Sequence, residues 1–284
     1  MASDPPGDAA HRTDLPPTVA WLRRQVDALR ARDIGIRAVA IGPDRVFVDT
    51  PDRYAAALAW KLGLRDGAAQ RLIARELGPG MVAVDVGANV GWYTLALARR
   101  VGPDGCVYAL EPEARCFELL GRAVGGGRCT QVELRHVAAA DYSGWTTLYL
   151  SEVDQGDHRI VPGAAERRMV TVRAVSLDDL LADAPRVDFI KLTAQGAEVA
   201  VLRGLRRTLT RCPTLRLLCS VSPALLERAG AGADAFFDPL CDAGFVPHQI
   251  WRDGGAEPIH PRLAWSMARA QGRLLLYFRR ASAQ

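Results

Sequence analysis

The residues of this chain best placed to do chemistry stand in two short stretches. Val84-Asp85-Val86-Gly87-Ala88-Asn89-Val90-Gly91 follows an apolar run and opens a helical one, and Ala109-Leu110-Glu111-Pro112 closes the next apolar run. Glycine tolerates positive φ and lets a ligand approach the backbone, so Gly87 and Gly91 suit a turn that receives a nucleotide. Nucleotides bind at the carboxyl edge of the first strand of a doubly wound sheet. Glu111 lies 26 residues after Asp85, and a carboxylate at the end of the second strand can accept both hydroxyl protons of an adenosine ribose. Two other glycine-loop chemistries do not fit: Asn89 stands in the middle glycine position of a dinucleotide fingerprint, and there is no Walker lysine.

Such a turn needs a sheet to hold it. From residue 66 onward short apolar runs alternate with helical stretches: helix 67–77, strand 81–86, helix 90–100, strand 105–110, helix 112–123 and strand 132–137. The order resumes with helix 177–182, strand 187–192, helix 197–210, strand 214–221, helices 223–229 and 233–243, and closing strands at 245–250 and 273–279. Strands alternating with helices predict an α/β fold with a parallel sheet and right-handed crossovers. The β-rich runs 145–150 and 168–175 have no long helix between them and read as an inserted hairpin. Ahead of this domain (66–284), residues 1–17 read as a disordered tail and 18–65 as an extension. In the extension, 18–32 is an amphipathic helix and 36–49 a β-hairpin around Gly42-Pro43-Asp44.

Composition sets the outer limits. With 36 Lys+Arg against 32 Asp+Glu and 49% hydrophobic residues, the chain is globular and carries no nucleic-acid footprint. No 18-residue apolar run exists and residues 1–17 lack a signal-peptide core, so a cytoplasmic protein with no membrane partner is expected. The six cysteines form no CxxC pair, which speaks for reduced thiols rather than zinc or a disulfide framework. The basic face of 18–32 leaves room for a homo-oligomer or a protein partner through the extension.

The turn and its acid are similar to those of class I S-adenosylmethionine-dependent methyltransferases. The likeness extends further. VDVGANVGWYTLALA, YALEP, HVAAADYSG, GDHRI, VSLDDLL and VDFIKLTAQGAEVAVLRG, followed by a strand with Ser222-Pro223, resemble the FkbM-type methyltransferase family over roughly residues 66–250. The resemblance implies a Rossmann-like class I fold, with a mostly parallel seven-stranded sheet and helices on both faces. It implies O-methylation of a small molecule, often in natural-product metabolism, with S-adenosylmethionine as cofactor. By position, Asp85, Gly87, Asn89 and Gly91 would line the methionine end and Glu111 would hold the ribose, with Ala138 and Asp141 bordering the adenine. His158 would face the substrate as a general base, with Asp157 beside it as the other candidate.

The chain departs from the family at one motif. Where the family usually has a Lys-x-Asp-x-Glu-Gly-x-Glu run, this chain has Lys191-Leu192-Thr193-Ala194-Gln195-Gly196-Ala197-Glu198. A further acid of the next strand corresponds to Ser220. Thr193, Gln195 and Ser220 can hydrogen-bond but cannot act as bases or hold Mg²⁺ well, so no catalytic metal is expected. Lys191 and Thr193 share a strand face near the site, and either a functional role or an ion pair suits Lys191. Glu198 opens a helix, where an acid suits the dipole. Three readings follow: a diverged O-methyltransferase, the same fold turned to cyclisation or elimination, or a non-catalytic partner of another enzyme.

Overall fold

A computed structural model describes residues 35–61, 66–125, 128–151, 157–162 and 167–281; the expected tail and the helix at 18–32 lie outside them. The first elements are a hairpin, β1 (Arg37–Ile41) and β2 (Asp44–Val48), paired antiparallel around Gly42. Helices α1 (Pro51–Lys61) and α2 (Gly67–Glu76) follow. The central units are β3 (Val82–Val86), α3 (Trp92–Val101), β4 (Cys106–Leu110), α4 (Ala114–Val124) and β5 (Val132–Arg135). All five residues of β3 are buried, as a strand covered by helices on both faces requires. In α4 the buried Cys116, Leu119, Leu120, Ala123 and Val124 recur at helical spacing, so one stripe faces the sheet.

After β5 the chain leaves the main sheet. Strands β6 (Ala138–Ala140), β7 (Gly144–Leu150) and β8 (Arg168–Ser176) form a separate three-stranded sheet in the order β6-β8-β7. The chain returns through α5 (Leu177–Leu180), β9 (Phe189–Leu192), α6 (Glu198–Arg203), α7 (Arg206–Arg211) and β10 (Arg216–Val221). It ends with α8 (Pro223–Arg228), α9 (Ala233–Asp242), β11 (Phe245–Ile250), β12 (Ala256–Pro258), α10 (Pro261–Gln271) and β13 (Leu274–Arg280).

The main sheet has the order β12-β11-β13-β10-β9-β3-β4-β5. Strands β10, β9, β3, β4 and β5 are mutually parallel, and β13 runs antiparallel between β10 and β11. This is the class I Rossmann-like methyltransferase arrangement. Its topological switch point lies between β3 and β9, whose carboxyl ends open onto one crevice.

Two expectations need correction. The sheet has an eighth strand, the short β12, rather than seven. The helix expected over 197–210 is two helices, because the chain turns at Gly204. A Cβ there would lie 2.2 Å from the Ala140 carbonyl oxygen, so the backbone of the small sheet presses on this point. Helix α10 was not legible as a helix, although His260 caps it by accepting the Arg262 N–H at 3.3 Å.

Candidate active site

A cavity of about 370 Å³ opens at the carboxyl ends of β3, β4 and β9. Its floor is the glycine-rich turn. Gly87 has φ +72°, and a Cβ there would sit 2.1 Å from the Thr193 carbonyl oxygen, so glycine alone fits. The Gly87 and Ala88 N–H groups donate to the Leu110 carbonyl (3.1 and 2.9 Å), which ties the turn to β4. Asn89 is also left-handed (φ +52°), and its N–H donates to Glu111 Oε2 at 2.8 Å. The other oxygen, Oε1, accepts the Glu113 N–H at 2.9 Å. Burial, opposed in part by these two hydrogen bonds, pushes the Glu111 carboxyl up to about 7.

Beneath the turn lies a buried ion pair. Asp85 and Lys191 are directly opposite in the parallel register of β3 and β9. Lys191 Nζ is 3.0 Å from Asp85 Oδ1 and donates to the carbonyls of Val86 (3.1 Å) and Gly87 (2.8 Å). Thr94 Oγ1 donates to Asp85 Oδ2 at 2.7 Å, and Asp85 is wholly shielded from solvent. Lys191 therefore props the turn from below, its cation also 5.1 Å from the Tyr93 ring centre. Lys191 thus makes the ion pair that was one of its two expected roles.

Of the residues expected at the site, Gly87, Asn89, Glu111, Ala138, His158, Lys191 and Thr193 line the cavity. Asp85 does not, since its carboxylate turns inward to Lys191. Gly91 packs against α4 instead, where a Cβ would meet Leu120 Cδ1 at 3.0 Å. Asp141 is exposed and off the wall. Asp157 is off the wall too, held by Arg159 and Arg167 at 2.5 Å each. Thr193 and Gln195 do stand on the wall, whereas Ser220 is buried in β10 away from it. Glu198 is buried and clamps the loop before α6, accepting the N–H groups of Ala194 (2.8 Å) and Gly196 (2.9 Å).

His158 meets a polar cluster. Its Nδ1 accepts the Ser151 N–H at 3.1 Å, which assigns the ring hydrogen of the neutral form to Nε2. In that tautomer Nε2–H is a hydrogen-bond donor. Ligand atoms of Glu113, Cys116 and His158 lie within 4.8 Å of one another, a spacing a cation could use. The chemistry of the set is against it: Arg53 Nη2 already donates to Cys116 Sγ at 3.1 Å, and Glu113 caps α4 by accepting the N–H groups of Arg115 (3.0 Å) and Cys116 (2.6 Å).

Several wall residues lie outside any motif. Arg53 and Trp60 come from α1, Asp66 precedes α2, and Arg273 precedes β13. Trp60 packs edge-on to Tyr93 with ring centres 4.7 Å apart. Burial, followed by the nearby Asp66 carboxylate, raises the Tyr93 phenol well above its usual range. Asp66 pairs with Arg273 at 3.2 Å. The alternation of Arg53, Ala56 and Trp60 along one face of 51–61 was the only local sign that α1 roofs the cavity.

Comparison with known proteins places these features. Residues 85–246 match the family described as the Methyltransferase FkbM domain. A relative named Methyltransferase 1, from Beauveria bassiana (strain ARSEF 2860), is 32% identical over 144 residues, covering 43% of this chain and 57% of the relative. The chain thus spans little more than half the length of that relative. A solved SAM-dependent methyltransferase from Aquifex aeolicus is 16% identical with a TM-score of 0.41, covering 77% of this chain and 91% of that one. A precorrin-6y C5,15-methyltransferase from Geobacter metallireducens GS-15 is 13% identical with a TM-score of 0.41, covering 75% of this chain and 86% of its own.

Proposed function

The chain belongs to the FkbM methyltransferase family, and from that premise we propose that it binds S-adenosylmethionine above Gly87 and methylates a hydroxyl group of a small molecule. The observation that carries this reading is the Glu111 carboxylate, buried on the cavity wall beside a turn that admits only glycine at position 87. When bound, that cofactor supplies a methyl group on a sulfonium, which a hydroxyl oxygen can take by in-line displacement.

The chain's own residues have separable tasks. Glu111 accepts the two ribose hydroxyl protons, and the backbone at Val137 and Ala138 borders the adenine. Gly87 seats the turn against the Thr193 carbonyl, and the amino-acid end lies over that turn. Thr193 and Gln195 stand beside that turn, over β9, where their side chains can hydrogen-bond to the ligand. Glu111 and Asp66 are the two acids among the wall residues, so with Glu111 committed to the ribose, Asp66 is the group left to take a hydroxyl proton. His158 acts as a hydrogen-bond donor at the rim. The family resemblance favours a natural-product acceptor. No helix among the described residues is long and apolar enough to cross a membrane, which suits the proposed cytoplasmic setting.

Titration of Glu111 supplies a test. Only the ionised carboxylate accepts two hydroxyl protons, and in the free protein it gains its proton as the pH falls through about 7. The affinity for S-adenosylhomocysteine should therefore be level above this value and fall by up to about tenfold per pH unit below it. Titration calorimetry from acid to mildly alkaline pH reads this directly. The slope should vanish in Glu111→Gln, and a flat wild-type profile would remove Glu111 from the ribose site.

A second reading is favoured by one observation: Thr193 and Gln195 are neutral on the wall where the family places acids. The fold would then serve a cyclisation or elimination, or support a partner enzyme. Turnover without release of S-adenosylhomocysteine would establish the first of these in place of methylation. Activity seen only with a co-purifying subunit would establish the second.

A further inference from the structure

We propose that the acceptor carries an oxyanion, a carboxylate or a phosphate, and that Arg53 and Arg159 hold it. The proposal rests on the methyltransferase reading and names its class of substrate. Both arginines line the cavity, and both are 95% buried, each being 5% exposed. They come from different elements: Arg53 from α1, and Arg159 from the short segment that bridges to Tyr149 of β7 through N–H···O contacts of 2.8 and 3.2 Å. In each, the Nε–H is buried and has no hydrogen-bond partner among the described residues. Buried donors without acceptors are rare, and more so on a charged group.

The ion pairs of the two arginines point the same way. Asp49 is shared between Arg53 and Arg115, at 2.6 Å each. Asp157 is shared between Arg159 and Arg167, at 2.5 Å each. Arg115 is also held by Glu118 at 2.5 Å, so Arg53 and Arg159 each have a carboxylate partner and still keep guanidinium N–H groups to spare. A guanidinium presents five donors in a planar fork that matches carboxylate and phosphate oxygens. An oxyanion can accept from the guanidinium N–H groups that Asp49, Cys116 and Asp157 do not use, and a neutral acceptor matches that fork less well. The aromatic faces of Trp60 and Trp92 on the same wall suit the carbon body of such a molecule.

The test uses inorganic phosphate and benzoate as probes, titrated into the full-length protein saturated with S-adenosylhomocysteine. Sodium chloride holds the ionic strength constant, and the readouts are the melting temperature and tryptophan fluorescence. The expected result is a saturable response to one or both probes, weakened at least tenfold in Arg159→Gln and in Arg53→Gln and partly restored in Arg159→Lys. A response to phosphate alone assigns a phosphorylated acceptor, and one to benzoate alone assigns a carboxylic acid. The proposal is overturned if neither probe exceeds chloride. It is also overturned if the glutamine variants respond like wild type, or if the probes displace S-adenosylhomocysteine and so belong to the cofactor's own subsite. Failure of S-adenosylhomocysteine to bind, with arginine-dependent anion binding intact, would instead remove the cofactor reading and leave the anion site standing.

Discussion

Glu111→Ala is expected to weaken S-adenosylhomocysteine binding by about a hundredfold or more at pH 8. The magnitude follows from two hydrogen bonds between ribose hydroxyls and a carboxylate, each worth about 1.5–3 kcal/mol, with 1.4 kcal/mol per factor of ten. Those bonds form in a site where Glu111 is nearly excluded from water, so solvent competes poorly for them. The variant also leaves the Asn89 and Glu113 N–H groups without their present acceptor, which loosens the turn on the same side. Glu111→Gln, which keeps one carbonyl acceptor, should fall between alanine and wild type. Calorimetry on both variants, with circular dichroism to show that they fold, checks the ordering. Equal affinity for wild type and Glu111→Ala would dismiss the assignment.

The second large effect concerns stability. Lys191→Met should destabilise the protein by about 3–5 kcal/mol, because it leaves Asp85 as a charge with no partner in the interior. Asp85 is fully enclosed, its remaining hydrogen bond coming from Thr94. The carbonyls of Val86 and Gly87 lose a donor in the same step. A loss of this size is a large share of a typical total of about 5–15 kcal/mol. The double variant Asp85→Asn with Lys191→Met removes the orphaned charge and should recover a good part of it. Urea unfolding measures both. A single variant within about 0.5 kcal/mol of wild type, the usual range for surface substitutions, would show that the pair does not prop the turn.

These expectations trace how far the chain could be read from its residues. The glycine turn, Glu111 and the strands that carry them follow local rules: glycine where φ is positive, an acid at a strand's end, apolar runs of strand length. Asp85 shows where that reading stops. The family resemblance put it on the cofactor, but the register that sets it opposite Lys191 comes from pairing strands more than a hundred residues apart. Gly204 is similar, since the helix break there answers to the Ala140 backbone, which no local pattern announces. His158 fell where the motif order placed it, on the wall, yet its donor tautomer depends on the Ser151 N–H. Asp66, Arg53 and Trp60 belong to no motif, because the segments ahead of the main sheet fold back over the crevice. The position of the glycine turn and of Glu111 was therefore legible, and the roof was not.

The most direct test of the cofactor site is a crystal structure of the protein with S-adenosylhomocysteine. The account predicts both ribose hydroxyl oxygens within hydrogen-bonding distance of the Glu111 carboxylate, with the amino-acid end over Gly87 and the adenine beside Ala138. A ligand bound elsewhere, or one in this crevice whose ribose does not touch Glu111, would contradict it.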